Sequence, residues 1–392
     1  MRLVTDDERR ARLGRRHGLA APLRDVADVA RALTCLHATE PASVHLAARA
    51  RADVTLADVD AALYDDRSVV KQLAMRRTVF AFPRALLPAV WGSAAARVAT
   101  QQQRRLVKEV EQTGIAADGA LWVRTHLDAV LDLLHTQGPL GTGQIRAALP
   151  ALDARLTRGA GTHYETDVAI ARSVVVVLGA GGRILRGANA GGWKLSRPLW
   201  TPTGDWLGED PGEQPEDDGY ATLVEAWLGT FGPGTEADLV WWLGATKSAV
   251  RRALARVQAV EVRLQDGSVG FVLPTDVEEE PPVGPWAALL PALDPTTMGW
   301  KGRGFYLGEH AERLFDRNGN GGPTAWWNGR IVGGWTQRPD GQVVLVPAEE
   351  LPPEAERALI DEARRLTGWL DGDVVRSIYQ SPLVRSVEAA GT

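Results

Sequence analysis

Two polar side chains, His37 and Thr39, stand close together in the stretch LTCLHATEP and could act on one water molecule. A neutral imidazole both donates and accepts hydrogen bonds, and a threonine hydroxyl does the same. The simpler interpretation of His37 is a histidine at the end of a predicted helix that caps its last backbone carbonyls. The residues around the pair leave both interpretations open.

A metal site is suggested superficially by His37, Glu40 and His45. The two histidines, however, do not fall one turn apart on a single helix, as they do in the HExxH zinc motif. The single cysteine, Cys35, cannot form an internal disulfide, and no Cys/His cluster has the spacing of a zinc site. We therefore expect no metal and no cofactor.

Glycine-rich and basic stretches are further candidates for ligand contacts. The segment GAGGRILRGANAGG follows a predicted helix and precedes a strand, which is the reverse of a nucleotide-binding loop, so it indicates a helix stop and a wing tip. Residues 316–329, DRNGNGGPTAWWNG, either shape a hairpin that inserts into DNA or make turns in a small sheet. Candidates for contacts with DNA are Arg76, Arg77, Thr78, Arg303, Asn318 and Asn320, although a surface-charge role also explains Arg76 and Arg77.

The chain has 392 residues, of which 45% are hydrophobic and 24% charged, so it should fold into two to four domains. It has no run of about 18 apolar residues, and its charged start is unlike a signal peptide. We therefore expect a cytoplasmic protein that does not enter a membrane.

The net charge of −5 argues mildly against nucleic acid as a partner. Acidic residues concentrate in 205–218 and 278–280. Arginines concentrate in 8–16, 76–77, 104–105, 155–158 and 251–256. A basic face remains possible, although arginine abundance in an Ala- and Gly-rich chain is weak support for contact with DNA.

Two stretches about ninety residues apart show the same order of predicted elements. In the first, a helix over 121–137 is followed by a short helix started by Thr142, a longer helix within 163–182 and two short strands, GRILRG and GGWKLS. In the second, three helices over 219–257 precede a hairpin turned at Asp266 and Gly267. This order is typical of a winged helix-turn-helix.

The first hundred residues are a looser third copy, and from about residue 285 short strands alternate with Asn-Gly, Gly-Gly and Asp-Gly turns. We predict an α+β fold with three tandem winged helix-turn-helix domains and a small C-terminal antiparallel β-barrel. The predicted boundaries are 1–118, 119–204, 205–284 with an acidic linker, and 285–392 with a helix.

Three blocks give the chain a resemblance to a known family. They are LTCLHATEPASVHLAARAR (33–51), KQLAMRRTVFAFP (71–83), and LLPALDPTTMGWKGRGFYL followed by LFDRNGNGGPTAWWNGRIVGGW. On these blocks the chain resembles the AlkZ and YcaQ family of bacterial winged-helix DNA glycosylases. The resemblance implies three winged helices, a β-barrel and excision of alkylated bases, which in some members protects the producer of a DNA-alkylating antibiotic.

The chain departs from that family at two places. The usual Gln-x-Gln motif is replaced by His37, Ala38 and Thr39. Where relatives often read MRGT followed by a histidine, Arg77 replaces the glycine and Phe80 the histidine. The resemblance implies that His37 and Thr39 are the catalytic pair, and that Met75, Arg76 and Thr78 make pocket-edge or backbone contacts beside it.

In a glycosylase, His37 could orient water and accept its proton, a general-base role worth roughly 10²–10⁴-fold. Such machinery suits a bulky, cationic N7-alkylguanine, either as a single adduct or within an interstrand crosslink. An adduct of this size need not be flipped into a tight pocket. We expect a monomeric, monofunctional enzyme acting on double-stranded DNA with alkylated purines, without a Schiff-base lysine. The alternatives are a non-catalytic winged-helix protein that binds DNA or lesions, and a scaffold whose β-rich part docks a protein.

Overall fold

The computed structural model describes residues 1–158 and 166–390 and shows small sheets set among many helices. In the first 118 residues, Thr5 and Asp25 accept hydrogen bonds from backbone amides and so begin two of the helices. The elements are β1 (Leu3–Val4), α1 (Asp6–Arg16), α2 (Val26–Ala32), β2 (Leu36–His37), α3 (Pro41–Arg49), α4 (Leu56–Asp60), β3 (Val69–Ala74), β4 (Thr78–Pro83), α5 (Leu87–Val90) and α6 (Ala96–Gln112).

A three-stranded sheet with the order β2-β4-β3 sets the position of His37. Strand β2 adds two residues to the sheet, with Leu36 opposite Ala81 and His37 opposite Phe80. On the far side of β4, Gln72 of β3 also lies opposite Phe80. Because directly opposed residues share a face, His37 lies on the Phe80 face, while Leu36 packs into a core formed with α2 and α3.

Residues 119–204 contain the helices predicted from the first repeat, with differences in detail. The elements are α7 (Gly119–Gln137), α8 (Thr142–Ala148), β5 (Arg155–Arg158), β6 (Thr166–Ala169), α9 (Ala171–Ala180), β7 (Ile184–Asn189), β8 (Pro198–Pro202) and α10 (Thr203–Leu207). Thr142 is the first residue of α8, and Gly141 precedes it as the cap. The second wing strand is β8, not GGWKLS, and the predicted third helix begins only after β6; its residues 163–165 lie outside the described part.

Residues 205–284 form three helices and a hairpin: α11 (Glu216–Phe231), α12 (Glu236–Leu243), α13 (Lys247–Arg256), β9 (Val260–Leu264) and β10 (Val269–Val272). The hairpin predicted at Asp266 and Gly267 is confirmed, since β9 and β10 pair antiparallel across that turn. Strand β1 pairs parallel to β9, with Leu3 opposite Arg263. The N-terminus therefore completes the sheet of a stretch that comes some 260 residues later.

The predicted C-terminal β-barrel is wrong. The elements are β11 (Ala287–Leu290), α14 (Pro295–Met298), α15 (Gly304–Leu307), α16 (Ala311–Leu314), β12 (Thr324–Trp327), β13 (Arg330–Gln337), β14 (Val343–Pro347), α17 (Pro353–Leu370) and α18 (Pro382–Ala390). The four strands follow one another as β11-β12-β13-β14, and β11 does not pair with β14. Four strands are too few to close around packed side chains, and α17 instead covers one face of the open sheet.

The hydrophobic core crosses the predicted domain boundaries. Buried residues from Leu13 to Val384 form one cluster that joins the first, third and fourth stretches, whereas 106–200 contains a second cluster. A fully buried ion pair links the first stretch to the fourth, with Arg51 Nη2 2.6 Å from Asp294 Oδ1. In the described residues, no helix combines the length and apolar character needed to span a membrane.

Candidate active site

His37 lies on a strand, so the helix-end interpretation is wrong. Its ring packs edge-on against Phe80, with the ring centroids 5.3 Å apart, and only 8% of the residue is exposed. The next residue, Ala38, donates its backbone N–H to the carbonyl of Val79 at 2.9 Å. Pairing of Leu36, His37 and Ala38 with the single neighbouring strand β4 therefore holds His37 in a fixed position.

Burial, and next to it the charge of Arg76, lowers the pKa of His37 to about 3. The imidazole is therefore neutral at neutral pH. The backbone N–H of Thr39 donates to Nδ1 at 3.4 Å, which leaves the ring proton on Nε2. Such a ring can direct a water molecule by hydrogen bonding, but it is a weak base, contrary to the general-base role that its residue type suggested.

Thr39 is exposed, two residues beyond the buried ring. Among the described residues, its hydroxyl has no hydrogen-bond partner in the protein, so it is available to a ligand or to water. The structure therefore brings the predicted pair together at a surface, with a buried neutral ring beside an accessible hydroxyl.

Glu40, which follows the pair, is a site residue whose role the sequence did not reveal. Its carboxylate accepts hydrogen bonds from Ser377 Oγ at 2.9 Å and from the backbone N–H of Ile378 at 2.6 Å. Burial raises the pKa of Glu40, and these donors oppose that rise by stabilising the anion. Glu40 thus ties the C-terminal segment to the loop that carries Thr39, a contact between residues 337 positions apart.

The histidine considered as a second metal ligand points elsewhere. His45 Nε2 lies 3.0 Å from Asp60 Oδ1, and Nδ1 lies 3.3 Å from the carbonyl oxygen of Pro41. The described residues contain no group of three or more histidine, cysteine and acidic side chains arranged to hold a metal ion.

The turn from Met75 to Thr78 connects β3 to β4 beside the site. Met75 is fully buried in the main core and offers no surface to DNA, so its predicted role as a pocket-edge contact is wrong. Arg76 and Arg77 are exposed and adopt left-handed backbone angles, with φ of 54° and 59°. Thr78 begins β4 opposite Ala74.

Arg303 and the loop 316–320 lie together. The carboxylate of Asp316 accepts hydrogen bonds from the backbone of Asn318 and from the backbone and side chain of Asn320, at 2.8–2.9 Å. Arg303 Nη1 donates to the carbonyl oxygen of Gly319 at 3.2 Å. The loop is therefore a self-bonded turn fastened to Arg303.

Trp241 of α12 joins the two predicted basic contacts. The guanidinium carbon of Arg76 lies 4.1 Å from the ring centroid of Trp241, and that of Arg303 lies 5.3 Å from it. Nothing in the sequence signalled this role, because Trp241 stands some 165 positions from Arg76 and 62 from Arg303. The structure thus gathers Arg76, Arg303 and the Asn318 loop, while Met75 faces inward.

The arginines of α13 and the predicted wing tip are already engaged within the protein. On α13, Arg251 pairs with Glu236 at 2.7 Å and Arg252 with Asp217 at 2.8 Å. At the tip between β7 and β8, Trp193 Nε1 donates to Asp373 Oδ2 at 2.9 Å. The α13 arginines are therefore neutralised, and the wing tip docks on the C-terminal part.

Comparisons with known proteins agree over most of the length. A family model described as DNA glycosylase AlkZ-like matches residues 30–369. Among solved structures, the DNA glycosylase AlkZ of Streptomyces sahachiroi superimposes with a TM-score of 0.71 over 96% of this chain and 99% of that one, at 20% sequence identity. At that identity the likeness shows a shared fold. A search of curated proteins finds no match by sequence.

Proposed function

The chain belongs to the family of AlkZ-like DNA glycosylases, and we propose that it removes bulky, cationic N7-alkylguanines from double-stranded DNA by directing water onto the N-glycosidic bond. The same chemistry would unhook interstrand crosslinks that are attached through N7. We further propose that this activity protects a cell which itself makes a DNA-alkylating product.

The observation that carries this proposal is the buried, neutral ring of His37, whose pKa is lowered to about 3. Such a ring is neither a strong base for the water nor a reservoir of protons for the departing base. The neighbouring Glu40 carboxylate is occupied as an acceptor for Ser377 and Ile378. The leaving group must therefore depart with little help, and a purine alkylated at N7 does so because it already carries a positive charge.

The reaction follows from the two side chains. The water oxygen forms a bond to the sugar carbon C1′ while the C1′–N9 bond breaks, and the bonding electrons neutralise the purine cation. The Nε2–H of His37 and the exposed hydroxyl of Thr39 hold that water by hydrogen bonds, and the released proton passes to solvent. Because the pair lies at a surface, a bulky adduct need not be drawn into an enclosed pocket.

We propose a monofunctional enzyme because the lysine nearest the pair along the sheet points away from it. Burial lowers the pKa of Lys71 to about 8, which suits a Schiff-base lysine. Lys71, however, lies opposite Ala81, on the other face of the sheet from His37, and its Nζ donates to Tyr64 Oη at 2.7 Å. Attack on the sugar by this amine is therefore not part of the proposed mechanism.

The remaining parts of the proposal concern how DNA is held. Residues 1–118, 119–204 and 205–284 would act as winged-helix units, since the last two keep the order of helices followed by two strands. With the arginines of α13 neutralised, contact with DNA would centre on the surface around Arg76 and Arg303. We propose that one monomer binds the duplex in the cytoplasm.

The test compares two adducts of guanine in otherwise identical duplexes, one alkylated at N7 and one carrying the same alkyl group at O6. Mass spectrometry should detect free base and an abasic strand from the cationic N7 adduct alone. His37→Ala should lower the rate with binding retained, whereas His135→Ala, which changes an exposed histidine, should not. Binding without release of base would favour a non-catalytic lesion-binding protein, and equal release from the O6 adduct would contradict the leaving-group argument.

A further inference from the structure

Arg76, whose charge acts on His37, shares one aromatic platform with Arg303. The guanidinium groups of Arg76 and Arg303 lie 4.1 and 5.3 Å from the ring of Trp241, and that of Arg303 also lies 4.4 Å from the ring of Phe315. Contact with aromatic faces orients a guanidinium without neutralising it. Both cations are thus held in place with their charges intact.

No carboxylate forms an ion pair with either arginine in the part of the chain that the structure describes. The side chain of Arg303 donates to the backbone carbonyls of Trp300 and Gly319. The carboxylate that acts on it electrostatically, Asp238, already accepts hydrogen bonds from the amides of Lys301 and Gly302. By contrast, Arg51 and Arg251 elsewhere in the chain each have a carboxylate partner.

The local electrostatics disfavour the positive charge of Arg76. Desolvation by the surrounding protein, followed by repulsion from Arg303, lowers the pKa of Arg76 to about 10. Arg76 is nevertheless exposed, so solvent reaches it. Its charge also contributes to the lowered pKa of His37, which places Arg76 within electrostatic reach of that ring.

The backbone is constrained to present Arg76 in this way. Arg76 has a φ of 54°, a left-handed conformation that non-glycine residues adopt rarely. Gly244, at the end of α12, packs against it so closely that a Cβ there would lie 3.3 Å from Arg76 Cγ. Helix α12 therefore supplies both the platform, Trp241, and the close approach that holds the Arg76 turn.

We propose that Arg76 and Arg303 together bind one phosphate of the strand that carries the adduct, next to the target nucleotide, with Trp241 holding both guanidinium groups. The inference rests on the proposed glycosylase function. Positive charge develops on the sugar as the base leaves, and two bare arginines nearby would oppose it. A phosphate between them offsets one of the two positive charges and so reduces that opposition, which means that the substrate supplies the anion this site lacks.

The test neutralises the phosphates one at a time. Duplexes with a single N7-alkylguanine are prepared with a methylphosphonate at each linkage around the adduct, and single-turnover release of base is measured with the full-length protein. For wild type, one linkage should stand out, with a loss of about 10- to 100-fold on neutralisation. This measurement needs no variant of the protein.

Arg76→Gln and Arg303→Gln should show a similar loss on unmodified DNA and no further loss when that same linkage is neutralised. Arg251→Gln, which removes an exposed arginine that already has a partner, should behave as wild type on every duplex. The phosphate site is refuted if no single linkage matters, or if the losses from variant and linkage multiply. Failure of wild type to release base from any duplex would instead refute the glycosylase proposal itself.

Discussion

Replacement of His37 by glutamine should leave the rate of base release within about tenfold of wild type. Burial takes the pKa of His37 from 6.5 to about 3, and at about 1.4 kcal/mol per unit this lowers its proton affinity by about 5 kcal/mol. A well-placed general base is worth roughly 10²–10⁴-fold, or about 3–5 kcal/mol. The lost basicity therefore cancels that advantage, and the remaining hydrogen bond to water is one that an amide also makes.

The assay is single-turnover release of base from an N7-alkylguanine duplex between pH 5 and 8, corrected for spontaneous depurination. Wild type should give a flat profile, because His37 stays neutral throughout that range. His37→Ala, which removes the hydrogen bond altogether, should lose about 10- to 100-fold. A glutamine variant that binds DNA normally but is slowed a hundredfold or more would refute the reasoning, as would a wild-type rate that falls with a midpoint near pH 6.5.

Three further predictions concern Glu40, His17 and Asp294. If Glu40 only tethers the C-terminal segment, Glu40→Gln should keep most of the activity and Glu40→Ala should lose more. If Glu40 were a catalytic base, both substitutions should abolish activity. Initial rates of base release separate these cases. Burial lowers the pKa of His17 to about 3, so the unfolded chain binds a proton first as the pH falls below 6.5. The contribution of His17 to stability should therefore be complete above pH 6.5, and the free energy of unfolding should be about 2 kcal/mol lower at pH 5 because of this residue. In urea denaturation, His17→Gln should remove that part of the acid sensitivity. Asp294→Ala should cost about 3–5 kcal/mol of unfolding free energy in the same assay, because it leaves the guanidinium of Arg51 buried without its partner; a cost below 1 kcal/mol would contradict this.

The parts of the fold that the sequence predicts well are those that short-range chemistry determines. Apolar spacing indicates α7, and the Asp266–Gly267 turn indicates the β9–β10 hairpin, because both signals lie within the element itself. Local pattern does not separate strand β6 from the helix α9 that follows it, because one residue lies between them. Local pattern also does not distinguish the open C-terminal sheet from a barrel, because strand pattern and turns are the same in both, and closure depends on how the first and last strands meet.

In the candidate site, too, the sequence predicts only what lies close together along the chain. His37 and Thr39 stand two positions apart, at the place of the Gln-x-Gln motif of the family that the sequence resembles, so the sequence alone suffices to predict them as a pair. The depressed pKa of His37 depends on burial against Phe80, the tether of Glu40 depends on Ser377, and the pairing of Arg76 with Arg303 depends on Trp241. Each of these is a contact between distant parts of the chain, and none leaves a trace in local composition or periodicity.

The two departures from the family pattern become physically connected once the sheet is known. Where relatives often have a histidine, this chain has Phe80, and Phe80 is the cross-strand partner of His37. The imidazole thus stands on β2 with an aromatic ring opposite it, and that ring helps to bury it. Arg77, in place of a glycine, has a φ of 59°, an angle that glycine adopts without strain. Arg77 therefore takes a backbone angle that suits a glycine and adds a second exposed cation beside Arg76. In the proposed mechanism, a weakly basic ring next to these cations depends on what the substrate brings, namely a positive leaving group and a negative phosphate.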